Sequence, residues 1–162
     1  MKENNLVITG MGAVTPVGIG VSEYWNALKE GTCGVGKITR FDAGEMPVQI
    51  AAELKDFDPT AYMPKTLART MDPFMQFAFI AAEQAIADSG LCIESESDRV
   101  GIVMGTAMDG VTTVAQTQAA FDEGKRVGPR FVPMTIGNIA AALCLLAVIL
   151  LVLYTRRYEA CA

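Results

Sequence analysis

Apolar and polar positions alternate along the chain in segments that predict a layered α/β domain. Leu6-Val7-Ile8-Thr9, closed by Gly10 and Gly12, has the pattern of a short buried strand. Ser22 can cap a helix over about Glu23–Glu30, which Gly31 would stop. "GTCGVG" follows as a turn, and Val48–Leu54 is a possible strand between turn signals. The clearest helix comes next. Asp72 suits its cap, Pro73 suits the first helical position, where no N–H is needed, and Gly90 ends it. Met71, Phe74, Ala78, Ala81 and Ala85 recur on one face of this helix, with Phe77 and Ile80 widening the stripe. Arg99–Gly105 reads as a second buried strand. A helix over roughly Gly110–Glu123 follows, then a proline-bearing loop, then a last helix from near Pro133 or Met134. The order β, α, α, β, α, α favours a largely parallel sheet with flanking helices.

Composition narrows the class. The 162 residues are 51% hydrophobic and 19% charged, which suits a folded domain rather than a disordered chain. The net charge of −5 argues against a nucleic-acid partner, which calls for a basic face. The four cysteines are scattered and there is no histidine, so no metal site is expected and free thiols in a reducing cytoplasm are. The N-terminus lacks the long apolar stretch of a secretory signal.

"GMGAVTPVG" bears on a nucleotide-binding alternative. A dinucleotide fingerprint wants a third glycine where Thr15 stands, and Pro16 interrupts the helix that would present amides to a pyrophosphate. A lone G-x-G is weak support for that reading.

Six collinear segments carry a stronger signal: "VITGMGAVTPVG", "GVGKITRFDA", "AAELKDFDP", "ARTMDPFMQFAFIAAEQAIADSG", "RVGIVMGT" and "FVPMTIGNIAA". Together they resemble the N-terminal part of β-ketoacyl-[acyl-carrier-protein] synthases, type II in particular. The resemblance covers residues 1–142, less than half of a family member, and leaves 143–162 as a divergent apolar tail. It implies an incomplete thiolase-like α/β fold, the N-terminal part of its first half, and a cytoplasmic homodimer. It also implies acyltransferase chemistry of fatty-acid or polyketide synthesis: a cysteine takes an acyl chain as a thioester, and the carbanion left by decarboxylating malonyl carrier protein attacks it. No cofactor of the protein's own is implied, because the carrier protein bears the phosphopantetheine.

Residue roles follow by position. Glu159-Ala160-Cys161-Ala162 falls where the family places its Thr-Ala-Cys motif: Ala160, Cys161 and Ala162 match, and Glu159 stands in place of the threonine. Cys161 is therefore the expected nucleophile. Its decarboxylating histidine partners are absent from the sequence, so this chain alone is expected to be inactive. Met108, in "GTAMDG", aligns with the apolar gate beside the acyl pocket, and Phe131 with a pocket and dimer-interface position; ordinary core packing accounts for both equally. Lys65 and Arg69 precede the long helix where the family presents cations to its acidic carrier protein.

The tail departs from the family between these landmarks. Ile139–Tyr154 is a run of 16 apolar residues followed by Arg156 and Arg157. A spanning helix wants about 20. Such a run suits a buried helix plus strand, a locally altered reading frame, or a membrane anchor on an otherwise non-catalytic synthase-like domain. The matched residues Ile139–Ala141 reach into the run and favour the buried reading.

Overall fold

The computed structural model describes residues 7–93 and 99–144. Its centre is a helix, α3 (Pro73–Ser89), bounded by the signals that the sequence carries: Asp72 caps it, Pro73 opens it, and Gly90 closes it in a left-handed conformation. Its deepest side chains are Met75, Phe79 and Ile80, with Met75 only 1% exposed. Phe74 and Phe77 are half-buried, so the core stripe is rotated from the expected one. Met63, Ala68 and Met71 pack here from the preceding turn, and Ala140 and Cys144 from the helical stretch over 137–144. α3 is enclosed on several sides, which is why no single 3.6-residue stripe describes it.

The predicted first strand is not one. Val7–Gly10 joins no ladder among the described residues, and Ile8 is 85% exposed. Residues 10–13 instead lie along α3. The amide of Met11 donates to Asp88 Oδ2 (2.9 Å) and that of Ala13 to Gln84 Oε1 (2.9 Å), two side chains one helical turn apart. This approach requires Gly10 and Gly12: a Cβ at either would run into the α3 carbonyl of Ala85 or Ala81. The expected second strand likewise forms no ladder over the described residues of Arg99–Gly105. A strand is held by its ladder partners, and neither segment joins a ladder among the described residues.

The described sheets are instead two antiparallel pairs. β1 (Val14–Thr15) and β2 (Gly18–Ile19) turn over Pro16-Val17, with Val14 opposite Ile19. β3 (Val35–Lys37) pairs with β4 (Ile50–Ala52), Val35 opposite Ala52. The first of these strands falls in what reads locally as a turn, and the second inside the expected Val48–Leu54. Helix α1 spans Val21–Glu30 and ends at left-handed Gly31. It begins before Ser22, which caps nothing; Gly20 stands at the cap, and Glu23 reaches back to accept from the amide of Ile19 (3.0 Å). After a 3-10 turn at Pro59–Ala61 come α2 (Lys65–Ala68) and α3, then α4 (Val111–Asp122) and α5 (Phe131–Thr135).

Candidate functional site

Of the expected site residues, Lys65 and Arg69 are brought together. They occupy one turn, with the Arg69 amide bonded to the Lys65 carbonyl (3.2 Å), and both side chains are exposed. Spacing of i, i+4 sets them on one face. Hydrogen bonds from Thr60, and then the charge of Lys65, hold the Asp58 carboxyl below its ordinary value. Gln76 ties this turn to α3 by donating to the carbonyls of Ala68 (3.0 Å) and Met71 (3.3 Å).

Met108 stands in the loop over 105–110 between the extended segment and α4, and is 71% exposed. The Thr106 hydroxyl closes this loop by donating to the Met108 carbonyl (3.1 Å). The Asp109 carboxylate lies against Gly137, at the start of the last helical stretch, where any Cβ would meet it. Phe131 opens α5 and is half-buried. It lines an open cavity of about 250 Å³ with Val114, Thr117, Gln118, Phe121 and Val127. Met108 is not among those residues. A larger cleft, about 560 Å³, lies elsewhere between Thr39-Arg40 and Leu54–Phe57, and recruits no expected site residue. Cys161 lies outside the described residues, as does the apolar run from 145 onward.

One residue was legible only in half its role. Asp72 is 2% exposed and is the buried polar residue of the described core. Its Oδ1 accepts from the Phe74 amide (3.4 Å), the expected cap of α3. Its Oδ2 accepts from both the amide (2.8 Å) and the hydroxyl (2.6 Å) of Thr113, in the first turn of α4. The N-cap position of α4 is Gly110, which has no side chain to offer, so the cap is supplied from 41 residues away. One carboxylate thus satisfies amides at two helix N-termini, where both dipoles favour negative charge. No local pattern at Thr113 announces this.

Cys33 and Cys144 carry free thiols. Cys144 is buried against the core; burial first, and then the nearby Glu83 carboxylate, push its thiol above the ordinary value. Protein around Glu83 likewise strips enough water to raise that carboxyl.

Comparison with known proteins gives this arrangement a class. A β-ketoacyl synthase from Burkholderia phymatum superposes with a TM-score of 0.70 at 29% identity, over 88% of this chain and 36% of that one. The type II polyketide ketosynthase AntDE, solved with its acyl-carrier protein AntF, superposes with a TM-score of 0.69 at 22% identity and shares the fold. The fold is therefore the α/β, thiolase-like one of ketosynthases, present in part.

The sequence comparison is more specific. The family of the β-ketoacyl synthase N-terminal domain matches residues 3–148, and the chain belongs to it. The 3-oxoacyl-[acyl-carrier-protein] synthases 2 of Synechocystis sp. and Coxiella burnetii are 39% and 42% identical over 146 residues. The chain spans 35% of the length of either.

Proposed function

We propose that this chain is the front part of a 3-oxoacyl-[acyl-carrier-protein] synthase, an acyltransferase of the condensing type, and that it supplies carrier recognition and the acyl-accepting thiol. The observation that carries the reading is the match of residues 3–148 to the β-ketoacyl synthase N-terminal domain. In this reading Lys65 and Arg69 attract the acidic face of an acyl carrier protein, and Met108 borders the acyl chain. Cys161 attacks the carrier thioester: its thiolate forms the new C–S bond as the carrier's phosphopantetheine thiolate leaves and takes up a proton. The chain needs no cofactor of its own, because the phosphopantetheine arrives on the carrier.

Decarboxylation of malonyl is a separate task. The sequence contains no histidine, so no imidazole of this chain can assist the loss of CO₂ or stabilise the carbanion. The chain by itself therefore accepts acyl groups at most and does not condense them.

The exposed apolar side of α4, where Val114 and Phe121 line the Phe131 cavity and Val111 is also exposed, supports pairing with a second copy as in the homodimers that the family resemblance implies. No helix among the described residues is long and apolar enough to cross a membrane. We read the location as cytoplasmic; pelleting with membranes in alkali would instead identify residues 139–154 as an anchor.

Titrating ¹⁵N-labelled holo acyl carrier protein with the chain tests the reading. Carrier resonances shift at low salt, the response weakens at high salt, and Lys65→Glu with Arg69→Glu abolishes it. A response indifferent to salt and to both substitutions would overturn the carrier-docking role.

A further inference from the structure

The tie between Asp72 and Thr113 reaches beyond helix capping. Asp72 lies three residues after Arg69, at the end of the turn that presents the two cations, and Gln76 clamps that turn to α3. Thr113 lies three residues after the loop over 105–110 that carries Met108. The Asp72 carboxylate is a polar contact that joins the two: Oδ2 takes two short bonds from Thr113, while Oδ1 stays with α3. The loop is further held by the Thr106–Met108 bond and by Asp109 seated at Gly137.

We infer that Asp72 is a positioning residue: by capping α3 and α4 with one carboxylate, it fixes the Met108 loop relative to the Lys65–Arg69 surface, so that engagement of that surface is felt at Met108. The inference rests on the function proposed above for Lys65, Arg69 and Met108. The capping itself does not depend on it. An aspartate serves here because it has two oxygens on a short stem. Asparagine keeps the shape but loses the charge and one acceptor, so it can cap one helix and not both. Burial makes the arrangement rigid, since a carboxylate this enclosed must keep its partners.

Two arms test it on the whole chain. In the first, amide exchange is followed without carrier protein. Asp72→Asn speeds exchange across 106–113 by about tenfold, the loss expected from one charge-assisted bond, while the middle of α3 is unchanged. Thr113→Val removes only the hydroxyl donor and produces the same local effect at smaller amplitude. No change in 106–113, or a uniform rise throughout the chain in both variants, would overturn the inference, the latter because the tie would then hold the fold as a whole rather than this loop.

In the second arm the methionine methyl groups carry ¹³C, and the Met108 signal is identified through Met108→Leu. Holo carrier protein moves the Met108 signal in the unsubstituted chain. In Asp72→Asn it binds as tightly but no longer moves it. A Met108 response that survives Asp72→Asn at full size would overturn the inference. Failure of carrier protein to bind the unsubstituted chain counts against the carrier-docking reading instead, and the exchange arm then decides the positioning role alone.

Discussion

Replacing Gly12 with alanine separates two uses of a G-x-G motif, packing and phosphate binding. An alanine Cβ at this position would collide with the Ala81 carbonyl and stand 2.9 Å from the Gln84 Cβ. The carbonyl belongs to α3 and cannot swing away, so the 10–13 segment must lift off the helix. Overpacking of this kind costs about 1–3 kcal/mol. Lifting the segment also strains the bond from the Ala13 amide to Gln84, worth about 1 kcal/mol. The expected loss is therefore about 2–4 kcal/mol, allowing for partial relaxation of the segment. With a urea slope of about 2 kcal/mol/M, the unfolding midpoint followed by circular dichroism falls by roughly 1–2 M. Gly128→Ala is the control: nothing lies within 4 Å of its Cβ, and its midpoint stays put. A Gly12→Ala midpoint indistinguishable from that of Gly128→Ala would refute the close approach of this segment to α3, and with it the packing role of the two glycines.

Other outcomes follow from the same core. Met75→Ala, at a position 1% exposed, destabilises by about 2–5 kcal/mol, whereas Met46→Ala on the exposed loop changes stability by less than about 0.5 kcal/mol; chemical denaturation of the two variants checks this. The raised Glu83 carboxyl gives stability a pH dependence of known sign. The unfolded chain ionises this group near 4.5 while the folded chain holds the proton to higher pH, so stability falls as pH rises from 4.5 through the folded value. Glu83→Gln removes that slope and gains no more than about 0.5 kcal/mol at neutral pH, because much of the side chain meets solvent. Cys33, exposed, reacts with a thiol reagent in the folded chain; Cys144, buried and with its thiol raised, reacts only on unfolding, as mass spectrometry of the labelled peptides will show.

What the sequence made legible was local. The bounds of α3 follow from Asp72-Pro73 and Gly90, whose effects are confined to one turn each. The strands were harder because an extended segment is defined by its neighbours. Val7-Ile8-Thr9 is apolar enough for a strand, yet its continuation spends its amides on Asp88 and Gln84. Val35–Lys37 looked like a turn because of its glycines and became a strand through pairing with Ile50–Ala52. Ser22 was a reasonable cap by type, but Gly20 and Glu23 take over the helix start. At the site, Lys65 and Arg69 came from the family resemblance, and their sharing of one turn was not read from the sequence. The double cap by Asp72 was not foreseeable, because its second partner is 41 residues away and a threonine in a helix's first turn is unremarkable.

The central proposal is that this chain, matched to the β-ketoacyl synthase N-terminal domain, does not by itself decarboxylate malonyl carrier protein, because its sequence contains no histidine. Release of ¹⁴CO₂ from malonyl carrier protein labelled in its free carboxyl, with acyl carrier protein present and the purified chain as the sole added protein, measures this directly. The account predicts release at the rate of the chain-free control and no 3-oxoacyl product. Release well above that control, accompanied by 3-oxoacyl carrier protein, would contradict it.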